Sequence, residues 1–260
     1  MIKIVFFDID GTLVPMGKDT IPEDTLKVLK AMQRKGIKVI VATGRPPNSI
    51  DHIKKLFDFD GYLTSNGQYC FDCERVIYEK YIPQSSIQSI IPYIEENHLS
   101  VLFATIEQCY RNQYNVEDFD ARWPIVDLNS VADQKIVQVM TYIHPQEDEA
   151  FLKHIPHCKS TRWSDKFSDI IPTEGGKDYG IDQMIKYFGI SLADTMAFGD
   201  GGNDIPMLKH VAYGVAMGNA NDQVKQHADY ITKASDEGGI LHACLHFGVL
   251  DENDIESMKK

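Results

Sequence analysis

Two aspartates separated by one residue follow an apolar segment near the start of the sequence. The segment Ile2–Phe7 has the β-branched and aromatic composition of a buried strand, and Asp8 and Asp10 come directly after it in D-I-D-G-T. Because side chains two residues apart on an extended strand share a face, both carboxylates are expected on one side. Their charges repel each other, so we expect positive charge from elsewhere to compensate them.

Three further short segments follow a predicted strand or begin a predicted helix. Asp200 supplies a third carboxylate, and carboxylate oxygens are the hard ligands that suit Mg²⁺. Thr43 supplies a hydroxyl, Lys177 supplies a positive charge, and the glycine-containing loops supply backbone N–H groups that bind phosphate. Because ligands bind at this edge of an open parallel sheet, the set predicts a divalent metal beside a phosphoryl group. The segments are A-T-G-R (42–45), G-G-K (175–177) and G-D-G-G-N-D (199–204).

The elements that must position these residues alternate between strand and helix at both ends of the chain. Helical spacing predicts helices over 22–35 and 178–188. Apolar strands separated by helices are typical of a parallel sheet covered on both faces, which predicts an α/β core with a Rossmann-like, doubly wound sheet. The middle of the chain has two β-rich and two helical segments between polar loops, which predicts an inserted α+β domain. The predicted boundaries are 1–81 and 173–260 for the core and 82–172 for the insertion.

The four short segments together closely resemble the motifs of the haloacid dehalogenase superfamily of aspartate-nucleophile phosphatases. D-I-D-G-T resembles its first motif, Thr43 its second, Lys177 its third, and Asp200 with Asn203 and Asp204 its fourth. The insertion between the second and third motifs resembles the type 2 cap of the Cof-like subfamily. Other segments that resemble this subfamily are S-N-G (65–67), G-V-A-M-G-N-A (214–220) and D-E-G-G-I (236–240).

The resemblance implies a role for each matching residue. Asp8 would attack phosphorus to form an aspartyl-phosphate, and Asp10 would protonate the leaving alkoxide and then activate water. Mg²⁺ would be held by the carboxylates of Asp8 and Asp200 and by the backbone carbonyl of Asp10. Asp204 would support this arrangement without binding the ligands itself. The residues implied to bind the phosphoryl group are Ile9, Thr43, Gly44, Lys177 and Asn203.

The combined prediction is a Mg²⁺-dependent phosphatase for small phosphorylated metabolites, with hexose and other sugar phosphates as the first choice by resemblance. Three alternatives remain open: a phosphohexomutase of the related capped class, a phosphatase for FMN or pyridoxal phosphate, and a phosphometabolite-binding protein without catalysis. Arg45 and Trp163 are the candidates for contact with the rest of the substrate. Other cap residues considered are Arg111, Arg122, Arg162 and Asp165.

The net charge, the length of the apolar runs and the cysteine pattern indicate which partners and which cellular location to expect. The chain has 260 residues with 26 basic and 38 acidic side chains, and its net charge of −12 argues against nucleic acid or an anionic membrane as partner. No apolar run reaches the roughly 18 residues of a membrane span, and the N-terminus lacks signal-peptide features, so a cytoplasmic location is expected. The five cysteines are scattered, and the C-x-x-C at 70–73 is expected in a β-hairpin as two ordinary thiols.

Overall fold

The computed structural model describes residues 1–114, 119, 121–251 and 253–254. The helices are α1 (Glu23–Arg34), α2 (Asp51–Leu56), α3 (Gln84–Asn97), α4 (Leu128–Val131), α5 (Asp148–Lys153), α6 (Lys177–Phe188), α7 (Ile205–His210), α8 (Asp222–Lys225) and α9 (Gly239–His246). Among the described residues, no helix is long and apolar enough to span a membrane. The strands are β1 (Ile4–Phe7), β2 (Lys38–Ala42), β3 (Gly61–Thr64), β4 (Tyr69–Phe71), β5 (Val76–Glu79), β6 (Val101–Ala104), β7 (Cys109–Arg111), β8 (Gln138–Thr141), β9 (Cys158–Ser164), β10 (Phe167–Pro172), β11 (Thr195–Gly199), β12 (Tyr213–Ala216) and β13 (Tyr230–Ile231).

The larger of two sheets takes its strands from both ends of the chain, in the order β13-β12-β11-β1-β2-β3-β4-β5. The strands from β13 to β3 pair in parallel. From β1 the sheet grows through β2 and β3 on one side and through β11 to β13 on the other. The sheet therefore has a topological switch point between β1 and β11, and ligands bind beyond the carboxyl ends of strands at such a point.

Both faces of the larger sheet are buried. Val5 and Phe7 of β1 belong to the core that includes residues of α1 and α9, whereas Ile4 and Phe6 belong to the core that includes residues of α6 and α7. Alternate side chains of β1 pack into opposite apolar layers, so every residue of this strand is apolar. The predicted doubly wound α/β core is confirmed.

The edge of this sheet beyond β3 is antiparallel, with β4 and β5 forming a hairpin. This is the hairpin predicted around the C-x-x-C. Cys70 is buried and Cys73 is exposed, and both are free thiols. The prediction that these two cysteines are ordinary thiols agrees with the structure.

The smaller sheet is antiparallel, with the order β7-β6-β8-β10-β9. Helices α3, α4 and α5 pack on one face, around a core that includes Ile87, Phe103, Leu128 and Phe151. The part of the chain from α3 to β10 is called the cap below. An antiparallel sheet with a layer of helices on one face is inserted between two segments of the core. The predicted α+β insertion is therefore confirmed.

Strand β9 was not predicted from the sequence. Its residues C-K-S-T-R-W-S are mostly polar and only partly buried, because β9 is an edge strand of the cap sheet. Strand β10 was also missed, since an ionisable residue, Asp169, interrupts its apolar pattern. The helices predicted at 22–35 and 178–188 correspond to α1 and α6, and each boundary agrees within one residue.

Candidate active site

Five loops that follow parallel strands meet at one edge of the larger sheet. Asp8 follows β1, Thr43 follows β2, Ser65 follows β3, Asp200 follows β11 and Met217 follows β12. Because these five strands are neighbours in the sheet, their carboxyl ends lie side by side. The topology therefore brings together the segments that the sequence predicted to form one site.

Lys177, the first residue of α6, is buried among oxygen atoms. Its Nζ donates to Oδ1 of Asp8 at 2.7 Å, to the carbonyl of Ala42 at 2.8 Å and to Oδ1 of Asp204. An ammonium group has three donors, and each has an acceptor here. Burial alone would lower the pKa of Lys177, but the charges and hydrogen bonds of Asp204 and Asp8 raise it above its ordinary value. Lys177 is therefore a permanent positive charge beside Asp8.

Three carboxylates gather around this lysine. Asp8, Asp200 and Asp204 each offer an oxygen within 4.8 Å of the others. Burial raises the pKa of Asp8 well above its ordinary value, Lys177 opposes this, and Asp204 and Asp200 raise it further. Burial and the charge of Asp204 raise the pKa of Asp200 to about 7. One ammonium group does not neutralise three carboxylates, so the cluster is suited to a further cation.

The donor set fits a hard divalent cation such as Mg²⁺. Asp204 is the least available of the three carboxylates, because Oδ1 accepts from Lys177 and Oδ2 accepts from the backbone N–H groups of residues 200 and 201 at 3.0 and 2.9 Å. Asp8 and Asp200 are therefore the carboxylates that would hold the ion. Asp204 orients Lys177 and the loop that carries Asp200.

Several neighbours fix the carboxylate of Asp200. The hydroxyl of Thr12 donates to Oδ1 at 2.8 Å, and Nδ2 of Asn219 donates to Oδ2 at 3.3 Å. Gly11 has a φ of +86°, and a Cβ added to it would lie 2.1 Å from Oδ2 of Asp200. Glycine is therefore required at position 11 both for its left-handed backbone and for the close approach of the carboxylate.

The side chain of Asp10 has a different environment from that of Asp8. Nε of Arg45 donates to Oδ2 of Asp10 at 2.8 Å, and Nη2 donates to Oδ1 at 2.6 Å. The side chain of Asp10 is 50% exposed, whereas that of Asp8 is 10% exposed. Arg45, predicted to contact the substrate, is thus paired with Asp10 in this structure. Of the two aspartates after β1, one is buried against a lysine and the other is open to solvent.

The residues predicted to bind phosphate lie at the same edge of the sheet. Thr43 is buried, and its Oγ1 accepts from the N–H of Arg45 at 3.1 Å. Ile9 is fully buried in the core, which leaves its backbone as the part that can face a ligand. A Cβ added to Gly44 would lie 3.2 Å from Nδ2 of Asn203. Their roles in phosphate binding stay predictions.

The S-N-G segment forms a left-handed turn directly after β3, with φ values of 48°, 52° and 89° at residues 65–67. Such backbone costs about 1–3 kcal/mol at a residue other than glycine and is found mostly at functional sites. Oδ1 of Asn66 accepts from Nδ2 of Asn203 at 3.1 Å. Nδ2 of Asn66 donates to Oε1 of Gln138 at 3.1 Å and to Oδ2 of Asp169 at 2.8 Å. Asn66 therefore connects the site to the cap.

Of the cap residues predicted to contact substrate, Trp163 lies beside the site, whereas the arginines make contacts within the cap. Trp163 is 57% exposed, and its Cβ lies 3.4 Å from a Cβ added to Gly201, so it borders the loop that carries Asp200. Arg162 pairs with Asp148 and donates to two cap carbonyls. The remaining candidates are Arg111, which donates to the carbonyl of Trp123, Arg122, which lies over the Trp123 ring, and Asp165, which is exposed.

Sequence reasoning missed five side chains that contact this site. Thr12, Asn66 and Asn219 lie within segments that were recognised, D-I-D-G-T, S-N-G and G-V-A-M-G-N-A, but their side chains were given no role. Gln138 and Asp169 lie in strands of the cap. The signal that the sequence offers for them is a polar residue between the apolar residues of a short strand.

Comparison with known proteins agrees with this geometry. A family model described as haloacid dehalogenase-like hydrolase matches residues 5–244. YkrA of Bacillus subtilis strain 168, a protein named as a phosphatase, is 32% identical over 95% of this chain and 98% of its own length. The 5-amino-6-(5-phospho-D-ribitylamino)uracil phosphatase YcsE of the same strain is 25% identical over 95% of this chain and 96% of its own length.

Solved structures give the same assignment. BT4131, described as a sugar phosphatase of HAD subclass IIB, matches with a TM-score of 0.90 and 40% identity over 95% of this chain and 100% of that one. BT1666 from Bacteroides thetaiotaomicron, described among phosphatases of the HAD superfamily, matches with a TM-score of 0.89 and 30% identity over 96% of each chain. This chain therefore belongs to the haloacid dehalogenase superfamily, in its Cof-like group with an inserted cap, and is a phosphoric monoester hydrolase.

Proposed function

We propose that this enzyme hydrolyses small phosphorylated metabolites with Mg²⁺ and through an aspartyl-phosphate on Asp8, and that sugar phosphates, hexose phosphates first, are its substrates. The observation that carries the proposal is the contrast between the two aspartates after β1. Asp8 is buried with Lys177 2.7 Å from its Oδ1, which suits a nucleophile held in one orientation. Asp10 is half exposed, which suits a group that exchanges protons with a leaving group and with water.

The first displacement transfers the phosphoryl group to Asp8. A carboxylate oxygen of Asp8 attacks phosphorus, and the bond from phosphorus to the ester oxygen breaks. Asp10, protonated at this stage, gives its proton to that oxygen, so the product leaves as an alcohol. Arg45 holds both carboxylate oxygens of Asp10 in the structure, so its hold must loosen when the leaving group arrives.

The second displacement regenerates the enzyme. Water attacks the phosphorus of the aspartyl-phosphate, and Asp10, now a carboxylate, takes the proton from this water. The bond between phosphorus and the oxygen of Asp8 breaks, and inorganic phosphate leaves. Asp8 returns to its carboxylate form beside Lys177, and Asp10 is again protonated for the next cycle.

The remaining residues neutralise charge and hold the phosphoryl oxygens. Mg²⁺ held by Asp8, Asp200 and the backbone carbonyl of Asp10 would offset the repulsion between carboxylate and phosphate. Lys177 adds a fixed positive charge, and Asp204 holds Lys177 in place. The groups proposed to bind the phosphoryl oxygens are the hydroxyl of Thr43, the amide of Asn203, the ammonium of Lys177 and the backbone N–H groups of Ile9 and Gly44.

The choice of sugar phosphates rests on similarity and on the cap. BT4131 is described as a sugar phosphatase and is 40% identical to this chain. We propose that residues 82–172 form the unit that selects the substrate, between core segments 1–81 and 173–260, with Trp163 and Arg45 at its border with the site. FMN and pyridoxal phosphate remain alternative substrates, and a cytoplasmic location stays a prediction.

A phosphohexomutase is the second enzyme class considered. It requires a second phosphate site, usually rich in arginine, in the cap. Arg162 is instead paired with Asp148, and Arg111 donates to the carbonyl of Trp123. Incubation with a sugar 1-phosphate distinguishes the classes, because the phosphatase yields free phosphate and the mutase yields sugar 6-phosphate.

The test of the proposed function is phosphate release from a panel of sugar phosphates, FMN, pyridoxal phosphate and an aryl phosphate, with Mg²⁺ or with a chelator. We expect release from sugar phosphates, its loss with the chelator, and its loss in Asp8→Asn. Asp58→Asn, at an exposed aspartate outside the site, is the matched control and should match the wild type. Undiminished turnover in Asp8→Asn would refute the proposal.

A further inference from the structure

Two buried polar side chains, Gln138 and Asp169, lie on the face of the cap sheet opposite its helices. Met140 pairs with Asp169 across β8 and β10 and with Leu102 across β6 and β8, so these three residues share a face. Gln138 is two residues from Met140 on β8 and lies on the same face. Gln138 and Asp169 are 0% and 2% exposed, and a buried polar side chain needs a hydrogen-bond partner.

The hydrogen-bond partners of these two side chains lie in the core, across from the cap. Oε1 of Gln138 accepts from Asn66, and Nε2 of Gln138 donates to the carbonyl of Gly44 at 3.2 Å. Oδ2 of Asp169 accepts from Asn66 at 2.8 Å. A buried polar group without a partner costs about 1–3 kcal/mol, so these groups are satisfied within the protein only while the cap rests on the core.

Asn66 stands between the cap and the phosphate site. Its Nδ2 donates to both cap residues, and its Oδ1 accepts from Asn203. Its left-handed backbone (φ 52°) holds the amide in this position. Gly44 permits the crowding, because a Cβ there would lie 3.2 Å from the amides of both Asn66 and Asn203.

We propose that Asn66 is a positioning residue that couples cap closure to the phosphate site: its amide holds Asn203 in place when Gln138 and Asp169 rest on it. The inference rests on the proposed function, in which Asn203 binds a phosphoryl oxygen. An open cap removes the two acceptors of Nδ2, so the amide of Asn66 is free to turn and Asn203 loses its partner. Phosphoryl transfer is then efficient only in the closed form.

The test is a double-mutant cycle between the core and cap sides of this contact. Asn66→Gly deletes the amide and tolerates the left-handed backbone, and Asp169→Ala deletes the cap acceptor. We expect Asp169→Ala to lower kcat by roughly tenfold, the effect of one lost hydrogen bond. Asn66→Gly should lower kcat at least as much, because it removes the hydrogen bonds of Asn66 with Gln138, Asp169 and Asn203. The double variant should be no worse than Asn66→Gly alone, because both changes break the same connection. Glu96→Ala, at an exposed acid in helix α3 of the cap, is the control and should leave kcat unchanged and add nothing to Asn66→Gly.

Comparing a sugar phosphate with a small aryl phosphate shows whether Asn66 and Asp169 position Asn203 or contact the substrate directly. A positioning role predicts an equal loss of kcat for a sugar phosphate and for a small aryl phosphate, because both need Asn203. A rise in KM for the sugar phosphate alone, with kcat unchanged, would overturn the proposal and make Asp169 a substrate ligand. Multiplicative effects of Asn66→Gly and Asp169→Ala would also overturn it. Asp169→Asn retains a side-chain acceptor and should restore most of the activity lost in Asp169→Ala.

A measurement without turnover keeps this inference separate from the proposed function. Small-angle X-ray scattering of the full chain without substrate should give a larger radius of gyration for Asn66→Gly and Asp169→Ala than for the wild type or Glu96→Ala. Unchanged scattering in both variants would overturn the proposal. A wild type that releases no phosphate would instead refute the proposed function.

Discussion

The core and the cap each bury an ionisable side chain beside the site, and the two are held in different ways. Lys177 of the core donates to two carboxylates and a carbonyl, so its charge is compensated within hydrogen-bond distance. Asp169 of the cap accepts from the neutral amide of Asn66, and the cations that influence its pKa, Lys177 and Arg162, are not in hydrogen-bond contact with it. Lys177 is therefore paired with opposite charges, whereas Asp169 is hydrogen-bonded to a neutral group.

This difference corresponds to the different tasks of the two regions. A buried pair resists separation, because removing one partner leaves an uncompensated charge, which costs about 3–5 kcal/mol. The core therefore keeps its charged groups fixed through the catalytic cycle. The contact of Asp169 with a neutral amide is weaker and can be exchanged for water, as a cap that admits substrate requires.

The largest effect is expected from breaking the core arrangement. Lys177→Met leaves Asp8 and Asp204 without their shared cation, so phosphate release should fall by about a thousandfold or more, as for other fixed charges that stabilise a transition state. The melting temperature should fall as well, because two buried carboxylates then repel each other. Lys186→Met, at an exposed lysine of the same helix, should change neither quantity. Activity of Lys177→Met close to that of the control would contradict the paired-charge account.

A smaller effect is expected from displacing one carboxylate of the core. Gly11→Ala places a methyl group where the carboxylate of Asp200 stands, so the Mg²⁺ concentration for half-maximal activity should rise by roughly tenfold or more. Gly17→Ala is the matched control, since Gly17 also has a positive φ (+75°) but has no atom within 4 Å of an added Cβ. Backbone strain should cost each variant about 1–2 kcal/mol of stability, and the overlap with Asp200 should add to this cost in Gly11→Ala. Equal Mg²⁺ dependence in the two variants would show that the approach of Asp200 to Gly11 is unimportant.

The effect expected for the cap concerns stability, not turnover, and depends on the ionisation of Asp169 and hence on pH. Burial raises the pKa of Asp169 from 3.8 to about 7, against the lowering effects of Asn66, Lys177 and Arg162. The folded state therefore favours protonated Asp169, and the wild type should lose stability as pH rises from about 4 to about 7. Asp169→Asn removes this loss, so its free energy of unfolding relative to wild type should increase by roughly 1–4 kcal/mol between pH 4 and pH 8.

Urea denaturation at several pH values measures this difference. Asp165→Asn, at an exposed position, should show no comparable pH dependence. A constant difference between wild type and Asp169→Asn at all pH values would mean that Asp169 keeps an ordinary pKa in the folded protein.

The residues of the core that form the site could be predicted from the sequence, whereas the cap residues that contact the site could not. Asp8, Thr43, Lys177 and Asp200 each sit at the end of an apolar strand or the start of a helix, so local pattern and parallel-sheet topology together predict that they meet. The partners of Asn66 depend on how β8 and β10 of the cap pack over the core. That packing is tertiary, and a lone glutamine or aspartate inside a strand does not indicate it. The same reason explains why β9 was missed, since an edge strand with polar residues has no apolar period.

The central claim is that Asp8 is the nucleophile and that Asp10 activates the water that hydrolyses the aspartyl-phosphate. Trapping the phosphoenzyme tests this claim most directly. Asp10→Ala is incubated with Mg²⁺ and a radiolabelled aryl phosphate, whose leaving group needs little protonation, and is then denatured in acid. The account predicts label bound to the denatured Asp10→Ala protein, mapping to the peptide that contains Asp8, and no label in Asp8→Asn. Label on another residue, or equal label in Asp8→Asn, would contradict it.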